Sequence, residues 1–401
     1  MNPDLQKLQA YPFERLAELK EGVTPPADRN HIALSIGEPK HAAPKLATDA
    51  LIASMDGLSG YPATKGLPEL RKTISEWLTK RFLLVDNAID PETQVLPVNG
   101  TREALFAFAH EVIDRSKPNP LVVMPNPFYQ IYEGASLLSG AEPYFMNCEQ
   151  ENGFIPKIDT VPDEVWQRCQ LLYLCSPGNP TGAVTSSEQF KAVIELADKY
   201  DFIIASDECY SEIYLDENRP PVGLLQACAE IGRTDFKRCV IFQSLSKRSN
   251  LPGLRSGFVA GDAEIIQSFL QYRTYHGCAM PLPTQHASIA AWQDETHVVE
   301  NRQLYREKFA AVVPILAEKL PAESPEASFF IWLKTPIDDQ LFARELFAAE
   351  NVTVLPGSYL ARDTQTGNPG KNRVRIALVA PLEECVDAAR RIARFAETLE
   401  R

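Results

Sequence analysis

The sequence predicts an α/β protein with a large, doubly wound, mostly parallel sheet domain and a smaller α+β domain. From about residue 44 to residue 271, short apolar segments alternate with helical stretches, a pattern typical of a sheet covered by helices on both faces. Three of these segments are followed directly by clusters of polar residues. The chain has 401 residues, more than the roughly 250–300 at which a single core stops growing, so two domains are expected.

The predicted domains follow the order of these patterns. The N-terminal segment, residues 1–43, contains an amphipathic stretch at 5–19 and is expected to pack with the small domain. The large domain is predicted to span residues 44–283, and its clearest helices are 101–115 and 187–200.

The small C-terminal domain is predicted to span residues 284–401. It begins with a long helical pattern at 284–320, which is followed by the apolar segment 328–332, a helix near 338–349 and a strand near 373–378. This mixture of elements predicts an α+β domain rather than a continuation of the parallel sheet.

Charge and composition exclude several functional classes. The net charge of −13 argues against a nucleic-acid partner, because phosphate binding favours a basic face. The first residues lack the basic and apolar regions of a signal peptide, and no apolar run approaches the roughly 20 residues of a membrane span. The eight cysteines are scattered without metal-ligand spacing, so reduced thiols, no metal and a cytoplasmic location are expected.

Lys247 follows the apolar, β-branched segment 240–242 and lies within SLSKRSNLPGLRSG, residues 244–257. An amine at the end of a buried strand is partly desolvated, which lowers its pKa and makes it a usable nucleophile. Arg255 lies nearby between two glycines, where the backbone can approach an anion closely and the guanidinium can bind a phosphate. A nucleophilic amine beside a phosphate site suggests condensation with a phosphorylated aldehyde, namely pyridoxal 5'-phosphate.

Two further apolar segments end in polar residues. Residues 171–175 precede SPGNPTG, and residues 202–205 precede SDECY. Each segment is expected to be a strand buried on both faces. Ligands of open α/β sheets bind beyond the carboxyl ends of the strands, so Asn179, Asp207, Tyr210 and Lys247 can converge there.

The blocks SPGNPTG, SDECY and SLSKRSNLPGLRSG resemble the signature motifs of the fold-type I, class I/II pyridoxal-phosphate aminotransferases. The resemblance extends from SIGEP at 35–39 to VRI at 374–376. The run SLSKRSNLPGLRSGFVAGD, residues 244–262, looks most like bacterial N-succinyldiaminopimelate aminotransferases. The resemblance therefore implies a homodimer with shared active sites, acting on amino-acid and keto-acid substrates.

Catalytic and substrate-binding roles follow from the same resemblance. Lys247 would hold the cofactor covalently and, once released, move a proton; Asp207 would keep the pyridine nitrogen protonated. Asn179 and Tyr210 match positions that hydrogen-bond the phenolate oxygen of the cofactor. The substrate α-carboxylate would be bound by Arg375, with Asn179 and the backbone at Gly37. Arg373 is the alternative to Arg375, because it lies two residues away on the same predicted strand.

The remaining cofactor contacts implied by the resemblance surround the phosphate and the ring. Helix N-termini bind anions through their backbone amides, and an aromatic residue would stack on the pyridine ring. These residues are Gly100, Thr101, Arg102, Ser244 and Arg255 for the phosphate, Tyr61 for the phosphate of the second subunit, and Tyr129, with Phe128 as alternative, for the ring.

The residue that binds the second carboxylate of a dicarboxylic substrate is not identified by the sequence. Lys65, Arg102 and His276 are candidates, and each is by default a surface residue. Ser246 occupies a position that varies among relatives, so its role is open.

The sequence supports a ping-pong transaminase using L-glutamate/2-oxoglutarate and N-succinyl-LL-diaminopimelate/N-succinyl-2-amino-6-oxopimelate in lysine biosynthesis. Alternatives are an aspartate or N-acetylornithine type aminotransferase and a carbon–sulfur β-lyase on the same scaffold. A non-catalytic pyridoxal-phosphate sensor fused to a DNA-binding module is disfavoured by the acidic charge and by the lack of room for such a module. A nicotinamide oxidoreductase is disfavoured because no GxGxxG motif follows any predicted strand.

Overall fold

The computed structural model describes residues 1–399. Its helices are α1 (Pro12–Leu19), α2 (Lys45–Ala53), α3 (Pro68–Arg81), α4 (Thr101–Val112), α5 (Gln130–Ser139), α6 (Asp163–Arg168), α7 (Ser187–Tyr200), α8 (Leu224–Glu230), α9 (Leu245–Arg248), α10 (Ala263–His276), α11 (Leu282–Gln293), α12 (Thr296–Ala317), α13 (Asp339–Glu350) and α14 (Leu382–Leu399). Its strands are β1 (Ile32–Ala33), β2 (Val95–Val98), β3 (Leu121–Asn126), β4 (Glu142–Asn147), β5 (Cys169–Cys175), β6 (Ile203–Asp207), β7 (Cys239–Ser244), β8 (Gly257–Gly261), β9 (Phe330–Lys334), β10 (Val352–Thr353), β11 (Leu355–Pro356) and β12 (Arg373–Ala377).

A seven-stranded sheet in the order β2–β8–β7–β6–β5–β3–β4 forms the centre of the large domain. Strands β3 to β7 are parallel to one another, whereas β8 is antiparallel to both of its neighbours. The predicted α/β class with a mostly parallel sheet is therefore confirmed. Since β5, β6 and β7 are adjacent and parallel, their carboxyl ends lie along one edge of the sheet.

Side-chain alternation along the strands produces two cores, one on each face of the sheet. Leu172, Ile204 and Ile241 belong to one buried cluster, and their neighbours Tyr173 and Ala205 belong to the other. Helices cover both faces, so the strands are apolar at successive positions, as expected for a parallel sheet. This explains why the sequence shows continuous apolar runs instead of an alternating pattern.

The small domain packs helices α12, α13 and α14 against the antiparallel sheet β11–β12–β9. The N-terminal segment joins it through β1, which pairs in parallel with β10. Leu16 of α1 also packs against Trp332 and Leu355. Within residues 1–399, neither the long helices α12 and α14 nor any other helix has the length and apolar character needed to cross a membrane.

The long helical pattern predicted at 284–320 is two helices in the structure. Helix α11 ends at Gln293 and α12 begins at Thr296. Helix α11 packs against α2 and α3, and Trp292 is buried in the core of the large domain. The domain division made from the sequence stays a prediction, but this packing favours a boundary near residue 294 over one at 283.

Replacing Trp292 with alanine tests whether α11 belongs to the large core. The Trp292 ring is 2% exposed and its centroid lies 4.7 Å from that of Trp77 and 5.1 Å from that of Phe258. Truncating a buried Trp typically lowers the free energy of unfolding by about 3–5 kcal/mol, and we expect a loss of this size in urea denaturation at fixed protein concentration. The exposed neighbour Gln293 provides the control: Gln293→Ala should change stability by about 0.5 kcal/mol or less. Equal effects of the two substitutions would contradict the assignment.

Candidate active site

A cleft of about 510 Å³ opens where the large sheet meets the small domain. Asn179 and Tyr210 enter it from the segments that follow β5 and β6, and Asp207 is the last residue of β6. Lys247 follows β7, and Arg375 reaches the cleft from β12 of the small domain. The structure thus brings together five residues from four separate parts of the sequence, and the parallel arrangement of β5, β6 and β7 is the reason for four of these residues.

Lys247 lies on the single-turn helix α9, which is capped by the side chain of Ser244. Its Nζ donates a hydrogen bond to the carbonyl oxygen of Gly37 and lies 5.9 Å from the ring centroid of Tyr210. Burial lowers the pKa of Lys247 to about 8, with the positive charges of Arg375 and Arg255 acting in the same direction. A substantial fraction of this amine is therefore neutral and nucleophilic near physiological pH.

Asp207 is a buried carboxylate whose two oxygens are both hydrogen-bonded. Oδ2 accepts a 2.7 Å bond from the hydroxyl of Tyr132, and Oδ1 accepts a 3.3 Å bond from the amide of Cys209. Burial raises the pKa of Asp207, while these two bonds oppose the increase. Tyr132 itself stacks on Tyr173 with centroids 4.6 Å apart, so the direction of the Asp207 carboxylate is fixed by a rigid aromatic pair. Tyr132, on the buried side of α5, is not among the site residues predicted from the sequence.

Arg375 is a buried guanidinium whose hydrogen bonds go only to neutral groups. It donates to Asn179 Oδ1 at 2.9 Å and to the carbonyl oxygen of Ser35 at 2.7 Å. Its Nε has no partner within residues 1–399, and burial lowers the pKa of Arg375 to about 10. A cation that is desolvated without a counter-charge favours binding of an anion. Arg373, in contrast, extends away from the cleft and donates to Gln150 at 2.6 Å.

An anion cradle lies at the N-terminus of α4. Gly100 has φ +83°, and a Cβ at this position would collide with the guanidinium of Arg255. Arg255 donates to the carbonyl oxygen of Pro252 at 2.8 Å. Thr101 and Ser244 border the same part of the cleft. Free backbone amides, a hydroxyl and an arginine are the donors that a phosphate group requires.

Ser244 and Ser246 are hydrogen-bonded to each other at this cradle. The Ser244 hydroxyl donates to Ser246 Oγ at 2.9 Å and accepts from the Ser246 amide at 3.0 Å. Both residues line the cleft. The structure therefore gives Ser246, whose role the sequence left open, a place beside the cradle.

Tyr129 lines the cleft and Phe128 does not. Phe128 is buried in the core behind it, beneath the guanidinium of Arg362. The Tyr129 hydroxyl accepts a 2.7 Å hydrogen bond from Nε of Arg102. Of the two aromatic residues considered for ring stacking, Tyr129 is thus the one in position.

Besides Gly100, Phe128 and Arg373, three further residues named from the sequence do not line the cleft of the single chain. Tyr61 projects fully into solvent. Lys65 forms a 3.0 Å ion pair with Glu92. His276 is an exposed residue near Glu103 and Cys278. Gly37, in contrast, lines the cleft where a Cβ would lie 2.8 Å from the Phe330 ring.

The donor set of the cleft fits pyridoxal 5'-phosphate. Lys247 would supply an amine for its aldehyde, Asp207 a carboxylate for its ring nitrogen, and Asn179 and Tyr210 polar groups for its phenolate oxygen. The cradle beside Arg255 matches its phosphate. Fold and site together therefore define a pyridoxal-phosphate-dependent enzyme.

Comparison with known proteins identifies the family. The family described as aminotransferase class I and II matches residues 29–392, so the chain belongs to this family of pyridoxal-phosphate-dependent aminotransferases. It is 32% identical to an LL-diaminopimelate aminotransferase of Dehalococcoides mccartyi (strain ATCC BAA-2266 / KCTC 15142 / 195), over 91% of each chain.

Two solved structures extend the comparison. An aminotransferase from Neisseria meningitidis Z2491 is 53% identical, covering 98% of this chain and 100% of that chain with a TM-score of 0.95. A "probable N-succinyldiaminopimelate aminotransferase" from Thermus thermophilus is 26% identical, covering 96% and 99% with a TM-score of 0.81.

The lowered pKa of Lys247 predicts how the cofactor-free protein reacts with pyridoxal phosphate. Only the neutral amine attacks an aldehyde, so the rate should rise about tenfold per pH unit below pH 8 and level off above it. The measurement is the initial rate of forming the borohydride-reducible link between pH 6.5 and 9.5. Lys247→Ala is the control and should form no link. A rate that still rises tenfold per unit above pH 9 would show an ordinary lysine pKa near 10.4 and contradict the prediction.

Proposed function

We propose that this aminotransferase exchanges amino groups between L-glutamate/2-oxoglutarate and N-succinyl-LL-diaminopimelate/N-succinyl-2-amino-6-oxopimelate, a reaction of lysine biosynthesis. The observation that carries the amino-acid part is the buried Arg375, which has an unpaired Nε and lies in the same cleft as Lys247. An α-carboxylate bound there would leave the attached amino group facing the reactive amine. The specific substrate is supported by the sequence resemblance and by the Thermus thermophilus relative.

The bound cofactor supplies an electron sink for the carbanion that forms at the substrate Cα. Lys247 would hold the cofactor and, once free, would accept the substrate Cα proton on Nζ and give it up again, since its pKa of about 8 suits both transfers. Asp207 would supply the carboxylate that stabilises a proton on the cofactor's ring nitrogen. Asn179 would link the cofactor part of the site to the substrate part. Its Oδ1 accepts a hydrogen bond from Arg375 and so orients that guanidinium.

LL-diaminopimelate is a second candidate substrate, favoured by the name of the Dehalococcoides mccartyi relative. It has the same carbon skeleton and the same reacting end. The two compounds differ only at the distal nitrogen, which is a free ammonium group in one and a succinyl amide in the other. Both candidates therefore require the same contacts at Lys247, Asp207 and Arg375.

We also propose a cytoplasmic homodimer in which each active site uses both subunits. Tyr61 and three apolar side chains near it, Ile52, Met55 and Leu58, are exposed in the single chain. Contiguous exposed apolar side chains of this kind are typical of protein–protein interfaces. Burying this surface against a second copy would allow Tyr61 to reach the phosphate site of that copy.

The substrate assignment predicts a spectral half-reaction. Mixing the purified yellow enzyme with N-succinyl-LL-diaminopimelate should convert the cofactor to its pyridoxamine form, and adding 2-oxoglutarate should restore the yellow species. LL-diaminopimelate, L-aspartate and N-acetyl-L-ornithine at equal concentrations are the comparison substrates. Faster conversion by one of them would transfer the assignment to that compound, and pyruvate release from cystathionine without a keto acid would indicate a β-lyase.

The shared site predicts complementation between two impaired variants. Lys247→Ala and Tyr61→Phe damage different halves of a shared site, so a mixed dimer contains one site with both wild-type residues. After subunit exchange in an equal mixture, about a quarter of all sites should be intact, and activity should rise well above that of either variant alone. Exchange is verified with affinity tags of two kinds. Activity that stays at the level of the separate variants after verified exchange would contradict the shared site.

A further inference from the structure

The cleft contains four cationic side chains, and the proposed reaction uses three of them. Lys247 is assigned to the cofactor aldehyde, Arg255 to the phosphate and Arg375 to the α-carboxylate. The fourth is Arg102, which lines the same cleft and forms no ion pair with a carboxylate anywhere in residues 1–399. A cation in a substrate cleft without a counter-charge is available to an anionic group of the ligand.

Two neutral phenols hold the Arg102 guanidinium in place. Nε donates to the hydroxyl of Tyr129 at 2.7 Å, and Nη2 donates to the hydroxyl of Tyr11 at 3.3 Å. The guanidinium carbon lies 5.9 Å from the centroid of each ring. Phenols carry no charge near neutral pH, so these bonds orient the guanidinium without neutralising it. Nη1 has no hydrogen-bond partner within the described residues and is free to bind a ligand.

The position of Arg102 in the fold adds to its positive potential. It lies in the first turn of α4, where the helix dipole and the free amide groups favour anions. Tyr11 belongs to the N-terminal segment and immediately precedes α1. The contact between Arg102 and Tyr11 therefore joins the large domain to the N-terminal segment across the cleft, on the wall shared with Tyr129.

We infer that Arg102, assisted by the Tyr11 hydroxyl, binds the second carboxylate of a dicarboxylic substrate while Arg375 binds the first. The inference rests on the proposed function, in which L-glutamate and the diaminopimelate derivative both carry a carboxylate at the end that does not react. Lys65, a candidate from the sequence, lies outside the cleft of its own chain and is paired with Glu92. The backbone amide of Arg102 remains part of the anion cradle; the side chain serves the substrate.

A pair of unreactive ligands isolates the contribution of the second carboxylate. Glutarate and pentanoate have the same chain length and differ only in whether the far end is a carboxylate or a methyl group. Their dissociation constants for the pyridoxal-phosphate enzyme can be measured by the spectral change on binding. We expect the wild-type enzyme to bind glutarate about 10- to 100-fold more tightly, as for a hydrogen bond to a charged group.

Three variants complete the experiment. In Arg102→Met the glutarate preference should fall to about threefold or less, with pentanoate affinity unchanged; Arg102→Lys should keep part of the preference because it retains charge but loses the bidentate fork. Lys65→Met removes a cation outside the cleft of its own chain and should leave the ratio at the wild-type value; loss of the glutarate preference in this variant would assign the second carboxylate to Lys65 instead. Each variant is first shown to retain the borohydride-reducible cofactor link, which confirms an intact site.

Other outcomes overturn the inference. An unchanged ratio in Arg102→Met, or no glutarate preference in the wild-type enzyme, excludes Arg102 as the second-carboxylate residue. Equal weakening of both ligands would assign Arg102 only to holding the Tyr129 ring. The proposed function has a separate test that does not depend on any Arg102 variant. If L-glutamate does not convert the cofactor of the wild-type enzyme to its pyridoxamine form, the proposed function is wrong.

Discussion

Burial of charged groups that the chain compensates only in part is the constraint on which this site depends. Asp207, Lys247 and Arg375 all lie in the interior of the cleft. Desolvation raises the pKa of Asp207 and lowers the pKa of Lys247 and of Arg375, which favours the neutral form of each group. Moving such groups out of water is costly unless partners compensate. A bound cofactor and an amino-acid carboxylate would complete this compensation, so ligand binding would offset a desolvation cost that is already present in the folded protein.

The rest of the structure keeps these groups in place. Behind Lys247, a buried chain of hydrogen bonds runs from Lys308 Nζ to His41 at 2.7 Å, and from His41 to Asn301 at 2.8 Å. Asn301 then donates to the backbone carbonyl of Lys247 at 3.3 Å and to that of Arg248 at 3.4 Å. When Lys308 is protonated, its Nζ donates to His41 Nε2, His41 Nδ1 donates to Asn301 Oδ1, and the Asn301 amide nitrogen donates to the backbone. This network holds the backbone of the reactive lysine, as the Tyr132–Tyr173 stack holds Asp207.

The sequence predicts the elements of this fold better than their junctions. Strands β5, β6 and β7 are recognisable because they are buried on both faces and therefore uniformly apolar. The break between α11 and α12 is not, because helical periodicity continues across Asp294 and Glu295 and only tertiary packing separates the two helices. Burial of Trp292 against the large domain depends on contacts with α2 and α3, which lie more than 200 residues earlier.

In the candidate site too, residues that belong to local sequence patterns are predictable, whereas residues that depend on tertiary contacts are not. Lys247, Asp207 and Asn179 follow apolar runs, so their convergence is predictable from strand order. The choice between Arg373 and Arg375 is not predictable in this way, because it depends on how the β12 strand is oriented toward the cleft. Tyr132 and Tyr11 are not predictable from the sequence, because they are connected to the site only by long-range hydrogen bonds. Tyr132 donates to Asp207, and Tyr11 accepts from Arg102.

The charges at the outer part of the cleft bear directly on the choice between the two candidate substrates. Succinylation removes the distal ammonium charge of diaminopimelate and adds a carboxylate, so the acylated compound presents only anionic and neutral groups at that end. Arg102 suits such an end. LL-diaminopimelate keeps the ammonium group and needs an acid to bind it; the cleft offers Glu38, an exposed side chain on the same rim. A cleft that uses Arg102 alone favours the acylated substrate, whereas joint use of Arg102 and Glu38 favours the free diamine, because a zwitterionic end requires both charges.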